Sequence, residues 1–301
     1  MRSARITSRR SSKTPPRFPD LRGHVLAARA RLERAGLTPD EAALDARLLA
    51  QHVLGWDAAR FFTAETEPAP DHFVERYAPL VDRRLEREPL PYITGTREFW
   101  DLTFEVSPAV LIPRPETELL VEVALERWPP AAPLRVADVC TGSGCVAVAL
   151  ARERPGSVIL ATDLSADALE IARRNAARHH VGEQVRFLRT DLLEGAPGPF
   201  DLIVSNPPYV PEGDRFSLQR EVIDYEPALA LFAGEDGLDA IVRLTDQAVS
   251  RLTPDGLLAF EFGAGQEPRI QELMARTDRL RLVEVKNDLQ GIPRTAVVIR
   301  T

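Results

Sequence analysis

The sequence is short of cysteine, lysine and long apolar runs. Its two cysteines, Cys140 and Cys145, are too few and too close together for the disulfide framework of a secreted domain, so we expect free thiols in a reducing compartment. No apolar run approaches the roughly 18 residues that a membrane-spanning helix needs. Hydrophobic residues make up 44% and charged residues 28% of the 301 positions, which is the balance of a globular protein.

Basic charge is concentrated at the N-terminus. Residues 1–18 carry five arginines, one lysine and no acid, whereas the whole chain has a net charge of −7, so the rest carries −13. Binding to a nucleic acid depends on Lys and Arg that neutralise phosphates, and we therefore expect no stable nucleic-acid partner and no membrane partner. A tail rich in Arg and Ser suits a mitochondrial transit peptide or a disordered extension. We favour a disordered basic tail over residues 1–20.

Helical signals dominate residues 21–88. The run Leu21–Ala35 is amphipathic, and Thr38 and Glu41 form a capping-box pattern around Pro39. We predict a small helical domain without a nucleophile, base or metal site, and its expected role is to bind the substrate. Residues 89–114 are predicted to link it, through a β-hairpin over Phe99–Val106, to a catalytic domain over residues 115–301.

Strands and helices alternate after residue 115. The predicted strands are Leu134–Val139, Val158–Thr162, Val185–Arg189, Leu202–Ser205 and Leu257–Phe262, followed by the antiparallel pair Leu280–Val285 and Thr295–Arg300. The predicted helices are Glu116–Trp128, Cys145–Glu153, Ala166–His179, Leu238–Arg251 and Gln266–Thr277. This alternation predicts an α/β fold whose parallel sheet is covered by helices on both faces.

A glycine-rich segment, Asp138–Gly144, follows the first of these strands. Its glycines allow a tight turn and close approach to a ligand, and the next helix directs free N–H groups into the same space. Asp163 ends the second strand, 21 residues after Gly142, where its carboxylate can accept hydrogen bonds from both hydroxyls of a ribose. Asp191 ends the third strand and is placed to border an adenine.

The spacing fits both a dinucleotide and S-adenosylmethionine. A dinucleotide fingerprint needs a third glycine, and Ala147 stands in its place. A pyrophosphate depends on all three glycines, whereas a sulfonium ligand carries no phosphate. We therefore favour S-adenosylmethionine as the cofactor, with a glycine-rich turn that binds no ligand as the alternative.

The segment Asn-Pro-Pro-Tyr, Asn206–Tyr209, follows the fourth strand. On its own it is typical of a turn, but open α/β sheets bind ligands at the carboxyl ends of their strands. A planar amide or aromatic amine nitrogen is a weak nucleophile because its lone pair is delocalised. The side-chain oxygen of Asn206 and the carbonyl of Pro207 can each accept one of its N–H hydrogens, and the ring of Tyr209 can lie against it. We predict that Asn206, Pro207 and Tyr209 act in catalysis and, with Pro208, bind the substrate.

The chain as a whole resembles the PrmC/HemK family. The segments that carry the resemblance, besides the glycine-rich segment, Asp163 and Asn206–Tyr209, are Pro91–Gly95, Glu98–Trp100, Leu111–Glu118 and Glu226–Leu229. It covers about residues 21–301. It implies a class I S-adenosylmethionine-dependent methyltransferase domain, Rossmann-like with a mostly parallel seven-stranded sheet, after a small all-helical domain. It also implies N5-methylation of the glutamine in the Gly-Gly-Gln motif of class 1 peptide chain release factors.

The resemblance assigns roles to individual residues. The implied cofactor-binding residues are Cys140, Thr141, Gly142, Ser143, Gly144, Asp163, Asp191, Leu192 and Asn206. Cys140–Gly144 would surround the methionine part, Asp163 the ribose and Leu192 the adenine, while Asn206–Tyr209 would hold the glutamine. The family often has glycine where Cys140 stands. Leu111–Glu118 is expected to help form a wall of the site, with Arg114 either as an ion-pair partner or as a substrate contact.

Two other functions remain open. The Asn-Pro-Pro-Tyr segment also suits an exocyclic amine of adenine or guanine in DNA or RNA, although the acidic body and the lack of a basic, aromatic-rich recognition domain disfavour that reading. A non-catalytic binding protein of the same fold is the third reading, and an intact substrate clamp beside an intact cofactor site argues against it. We expect a monomeric cytoplasmic enzyme without a metal.

Overall fold

The computed structural model describes residues 20–301, so the predicted basic tail, apart from Asp20, lies outside the described residues. The chain divides into two compact units between Leu90 and Pro91. The segment 89–114, predicted as a linker, therefore belongs to the second unit from Pro91 onward. Within residues 20–301, no helix combines the length and the apolar character that crossing a bilayer requires.

The first unit is helical, as its sequence pattern predicts. Its helices are α1 (Leu21–Arg34), α2 (Pro39–Leu54), α3 (Ala58–Ala64) and α4 (Phe73–Leu85). The predicted capping box is present at the start of α2, where Thr38 and Glu41 each accept the other's backbone N–H. A buried ion pair ties α2 to α4, because Arg84 Nε donates to Asp45 Oδ2 at 2.6 Å.

The second unit begins with a short helix, α5 (Leu90–Thr94), which starts at the junction, and a hairpin of β1 (Thr96–Phe99) and β2 (Leu102–Glu105). The hairpin starts three residues before the predicted one. The predicted start was wrong because the charged residues Arg97 and Glu98 hide the alternation of β1. Phe99 and Phe104 are both buried and meet edge to face, with their ring centroids 6.1 Å apart.

The seven-stranded sheet of the second unit confirms the predicted alternation. Its strands are β3 (Arg135–Val139), β4 (Val158–Asp163), β5 (Val185–Arg189), β6 (Phe200–Ser205), β7 (Leu252–Glu261), β8 (Leu280–Asn287) and β9 (Pro293–Arg300). They lie in the order β5-β4-β3-β6-β7-β9-β8; β9 pairs antiparallel with both β7 and β8, and all other pairs are parallel. β7 begins at Leu252, five residues before the prediction, because a register shift between its pairings with Phe200 and Leu202 takes up residues 253–256, which carry no apolar alternation.

Helices cover both faces of this sheet. They are α6 (Glu118–Arg127), α7 (Cys145–Glu153), α8 (Ala166–Arg178), α10 (Asp239–Arg251) and α11 (Glu267–Arg276). A further short helix, α9 (Arg220–Tyr225), lies between β6 and α10 and has no buried residue. Adjacent residues of β3 point into different cores. Val136 packs in a core with α6, α7 and α8, whereas Ala137 packs in a core with α10 and α11.

The strand order reverses beside β3. The chain runs from β3 outward through β4 to β5 and then returns to place β6 on the other side of β3. Open α/β sheets bind their ligands at such a switch point, outside the carboxyl ends of the strands. The glycine-rich segment follows β3 and the Asn-Pro-Pro-Tyr segment follows β6, so the topology brings the two predicted motifs to the same edge.

Candidate active site

The glycine-rich segment forms a tight turn between β3 and α7. Cys140, Gly142 and Gly144 have φ angles of 59°, 54° and 79°, the left-handed region that glycine adopts at the lowest cost. Gly144 is fixed for a second reason, because a Cβ there would lie 3.0 Å from the Cβ of Ala172 on α8. Cys140 adopts the same backbone conformation although it is not a glycine, so the turn forms without a glycine at this position.

Asp138, near the end of β3, holds this turn in place. Its Oδ2 accepts hydrogen bonds from the hydroxyl of Thr141 at 2.6 Å and from the N–H of Ala147 at 3.1 Å. Burial raises the pKa of Asp138 to about 7, although both hydrogen bonds favour the ionised form.

Asp163 lies at the end of β4 and faces the same turn. Its two oxygens accept the N–H groups of Gly142 and Ser165, each at 2.9 Å. Burial raises the pKa of Asp163, while these backbone hydrogen bonds oppose that rise. A carboxylate accepts about four hydrogen bonds, so both oxygens keep lone pairs for hydroxyl groups of a ligand.

Asn175 on α8 is a residue that the sequence analysis missed. It is fully buried, and its Nδ2 donates to the carbonyls of Ser143 at 2.9 Å and Glu105 at 3.0 Å. Its Oδ1 accepts the N–H of Glu105 at 2.7 Å. Asn175 thus ties the glycine-rich turn to the hairpin strand β2. The available signal was an asparagine on the otherwise apolar face of a predicted helix.

The Asn-Pro-Pro-Tyr segment is held by hydrogen bonds to distant residues. Asn206 Nδ2 donates to the Thr117 hydroxyl at 3.0 Å, and that hydroxyl donates to Glu261 Oε2 at 2.7 Å. The Tyr209 hydroxyl donates to Glu261 Oε1 at 2.8 Å, and the Tyr209 carbonyl accepts from Gln266 Nε2 at 2.9 Å. Burial raises the pKa of Glu261, and the two hydroxyl donors lower it.

The Leu111–Glu118 segment is anchored at the same edge. Arg114 Nη2 donates to Glu226 Oε1 at 2.5 Å, and the N–H of Ile112 donates to Glu226 Oε2 at 3.4 Å. Of the two roles expected for Arg114, the structure shows the ion pair. Glu118 accepts the N–H of Trp100 at 2.9 Å. Burial raises the pKa of Glu226, against the nearby guanidinium of Arg114.

Asp191 and Leu192 follow β5. Asp191 forms an ion pair with Arg243 of α10, at 2.5 Å between Oδ2 and Nη2. Leu192 is buried, and its carbonyl accepts the Thr162 hydroxyl at 2.9 Å. Arg243 was not predicted, because nothing in the local sequence of α10 distinguishes it from the other exposed arginines.

A cleft of about 390 Å³ opens at the switch point. The predicted site residues that line it are Cys140, Thr141, Gly142, Ser143, Asp163, Asp191, Leu192, Asn206 and Pro208. Gly144, Pro207 and Tyr209 are not part of this lining, and Tyr209 packs against the core of α10 and α11. The structure therefore gathers most of the predicted residues around one space and places Tyr209 where its hydroxyl supports the segment.

The charge and shape of the cleft fit S-adenosylmethionine. Acidic side chains line it, and Arg243 is the one basic residue of the lining described within residues 20–301. The acids are Asp138, Asp163, Asp191 and Asp239. A sulfonium and an ammonium group suit this field, whereas a pyrophosphate would be repelled. A Cβ at Gly142 would meet no atom within 4 Å, which leaves open space in the cleft beside the turn.

Comparisons with known proteins find relatives over most of the chain. Residues 25–95 match the PrmC N-terminal domain and residues 115–229 match the Methyltransferase small domain. A release factor glutamine methyltransferase of Bradyrhizobium diazoefficiens is 42% identical over 268 residues, covering 88% of this chain and 90% of the relative. Relatives of the same name from Koribacter versatilis and Xylella fastidiosa are 44% and 43% identical, covering 84% and 91% of this chain and 90% and 95% of their own lengths.

The sheet order, the cleft at its carboxyl edge and the matching domain define a class I methyltransferase fold. Within that class, the chain belongs to the release factor glutamine methyltransferase family. The resemblance seen in the sequence motifs is confirmed by relatives that align over most of the chain.

We expect Asn175→Ala to weaken both the fold and the cofactor site. The change leaves the Ser143 carbonyl and both backbone groups of Glu105 without their partner, and unsatisfied buried groups cost about 1–3 kcal/mol each. The thermal midpoint should fall, and the Kd for S-adenosylmethionine, measured by calorimetry, should rise at least about tenfold. Asn287→Ala, at an exposed asparagine, is the matched control. Unchanged affinity in Asn175→Ala would show that Asn175 does not position the turn.

The pKa of Asp138 predicts a pH-dependent stability difference from Asp138→Asn. An amide oxygen can still accept both hydrogen bonds, since both reach Oδ2, but it cannot ionise. The folded-state pKa of about 7 lies above the value near 3.9 of an unfolded aspartate. The free energy of unfolding of the wild type should therefore fall relative to the variant as the pH rises from about 4 to 7. Thermal midpoints at pH 5 and pH 8 measure this, and an equal difference at both would contradict it.

Proposed function

We propose that this protein transfers the methyl group of S-adenosylmethionine to the side-chain amide nitrogen, N5, of the glutamine in the Gly-Gly-Gln motif of class 1 peptide chain release factors. The observation that carries the proposal is the meeting of an acidic cofactor cleft with Asn206 at one switch point, in a chain that belongs to this family. Glutamine offers a planar nitrogen with two N–H hydrogens, and the Asn-Pro-Pro-Tyr segment offers two oxygen atoms that could accept them.

Different residues along the carboxyl edge of the sheet would bind different parts of the cofactor. Cys140–Gly144 would surround the methionine part, with Asp163 accepting from the ribose and Asp191 and Leu192 bordering the adenine. When bound, S-adenosylmethionine supplies an electrophilic methyl group on a positively charged sulfur. Asp191 would border the adenine while it is ion-paired with Arg243, and this ion pair orients its carboxylate.

The substrate residues would orient the glutamine amide. Asn206 Oδ1 and the Pro207 carbonyl would each accept one N–H of the amide, which holds the nitrogen in place and leaves its lone pair directed at the methyl group. Both acceptors strengthen as positive charge develops on that nitrogen. Pro208 lines the cleft beside them, and Tyr209 completes the segment.

The chemistry needs no strong base. Histidine and lysine are absent from the cleft lining within the described part of the chain. A methylated amide nitrogen is acidic while it still carries its extra proton, so water can remove that proton after transfer. Orientation and electrostatic stabilisation are therefore the main contributions that we assign to the residues of this chain.

The helical first unit is proposed to bind the release factor, and the protein is proposed to act as a monomer in the cytoplasm. Residues 25–95, which match the PrmC N-terminal domain, span most of this unit and all of α5. A helical unit whose sequence offers no nucleophile, base or metal site is suited to recognising a large protein substrate.

The function is tested by a transfer assay with labelled S-adenosylmethionine and unmethylated release factor. The control is the same factor with the Gly-Gly-Gln glutamine replaced, and mass spectrometry locates the methyl group. One methyl on that glutamine, absent in the control, is the expected result. Transfer to DNA or RNA in a parallel reaction, with none to the factor, would reject the proposal in favour of base methylation.

Asn206→Ala should separate chemistry from cofactor binding. Loss of the amide oxygen removes one acceptor for the substrate nitrogen, so we expect kcat to fall by at least about 100-fold. The Kd for S-adenosylmethionine should stay within about threefold, because the acidic cleft and the glycine-rich turn remain. Asn287→Ala again serves as the control. A parallel loss of turnover and cofactor affinity would refute this division of roles.

Deleting residues 21–88 should weaken release-factor binding far more than cofactor binding. The second unit has its own cores, so its cleft should persist without the helical unit. Surface plasmon resonance with immobilised release factor and calorimetry with S-adenosylmethionine measure the two affinities. If both affinities fell by the same factor, the first unit would serve folding rather than recognition.

A further inference from the structure

The buried carboxylate of Glu261 is connected through Thr117 to the side-chain amide of Asn206, which is proposed to face the substrate. Glu261 is 1% exposed and ends β7. In the parallel pairing of β6 with β7, Ser205 is opposite Phe260, so the next residues along the two strands are Asn206 and Glu261. The carboxylate does not line the cleft, and its two oxygens accept the hydroxyls of Thr117 and Tyr209.

Glu261 accepts one hydroxyl at each of its two oxygens, which is the arrangement of an ionised carboxylate, and with Glu261 ionised the protons of this network have a single arrangement. The Thr117 hydroxyl has a single proton, which it donates to Glu261 Oε2 at 2.7 Å. Toward Asn206, at 3.0 Å, the same hydroxyl oxygen can then only accept. The group that faces Thr117 must therefore be the NH₂ of Asn206. A flipped amide would set its oxygen against a hydroxyl oxygen that has no proton left, which is repulsive.

We propose that Thr117 and Glu261 are positioning residues that lock the side-chain amide of Asn206 with its NH₂ toward Thr117, so that Oδ1 is kept for the substrate nitrogen. This inference rests on the proposed function for the identity of that nitrogen. Without the lock, the amide can rotate by 180° and present two donors to a substrate that also presents donors. Such an orientation repels the planar nitrogen that the segment is built to hold.

Glu261 locks the second side of the segment through Tyr209. The Tyr209 hydroxyl donates to Glu261 Oε1 at 2.8 Å, and the Tyr209 carbonyl accepts from Gln266 at 2.9 Å. A Cβ at Gly237 would lie 2.3 Å from that carbonyl, so the backbone of Gly237 packs against the segment where no side chain would fit. One carboxylate therefore fixes both ends of the four-residue segment, at Asn206 through Thr117 and at Tyr209 directly.

The test compares variants at Thr117 with a matched control. Thr117→Val keeps the shape and removes the hydroxyl, whereas Thr117→Ser keeps the hydroxyl. Thr245→Val removes an equally buried hydroxyl that bonds only within α10, to the Val242 carbonyl at 2.8 Å. We expect Thr117→Val to lower kcat/KM by about 10–100-fold, with kcat falling and KM rising, because a flipped amide repels the substrate nitrogen as well as misaligning it. Thr117→Ser should recover most of kcat, and Thr245→Val should keep it.

A second readout does not depend on turnover. The sequence has three asparagines, Asn175, Asn206 and Asn287, so labelling asparagine with ¹⁵N gives three side-chain NH₂ signals. The Asn206 signal is identified by its loss in Asn206→Ala. One of its protons should be shifted downfield by the bond to Thr117 in the wild type and in Thr117→Ser, and should move upfield in Thr117→Val. Glu261→Gln, which can no longer accept two hydroxyls, should shift it as well.

The outcomes separate this inference from the proposed function. An Asn206 signal that is the same in Thr117→Val and in the wild type would overturn the lock, as would equal kcat in Thr117→Val and Thr245→Val. If the signal moves as expected but wild-type protein methylates nucleic acid and not release factor, the lock stands and the proposed substrate fails. Circular dichroism and the thermal midpoint verify that Thr117→Val is folded.

Discussion

The cleft depends on one constraint, which is that a carboxylate removed from water must find hydrogen-bond donors. Four carboxylates at or beside the carboxyl edge of the sheet are buried enough for their pKa values to rise. They are Asp138, Asp163, Glu226 and Glu261. Each accepts at least one hydrogen bond from a segment that borders the cleft. Because those donors lie on the segments that form the cleft, each of the four carboxylates also fixes one of its walls.

Each of these four carboxylates holds a particular segment of the cleft wall in place. Asp138 and Asp163 hold the glycine-rich turn from two strands, through Thr141 and Gly142. Glu226 holds the Leu111–Glu118 segment through Arg114, and Glu261 holds it through Thr117. The same segment is therefore fixed to two different parts of the second unit. Removing a donor would leave a buried charge without compensation, which is why such walls are rigid.

Rigidity at this edge suits the reaction. A delocalised amide nitrogen cannot be made much more nucleophilic by a base of moderate strength, so its position and the charge around it must do most of the catalysis. The acidic lining favours a cationic donor, and the proline-rich segment presents acceptors without competing N–H groups. Those properties serve a protein glutamine and a nucleobase amine equally. The family to which the chain belongs, and not the geometry of the clamp, favours glutamine.

The sequence alone predicted much of the fold and most of the residues that line the cleft. Alternating apolar patterns predicted the strands and helices, and their bounds were wrong mainly where charged residues hide a strand, as at Arg97 and Glu98 in β1. The glycine-rich segment, Asp163 and Asn206 were predictable because each sits at the end of a recognisable strand, and parallel strands end at one edge. Local sequence was sufficient there, since backbone geometry and strand direction determine where such residues lie.

Tertiary structure alone decided which polar side chains meet. Thr117 and Glu261 are 144 residues apart, Arg114 and Glu226 are 112 apart, and Asn206 lies 89 residues from Thr117. Glu261 inside an apolar strand and Asn175 on an apolar helix face were visible anomalies, but the sequence does not name their partners. The physical reason is that a buried polar group can be satisfied by any donor the fold brings within about 3 Å, and only the packed sheet determines which donor that is.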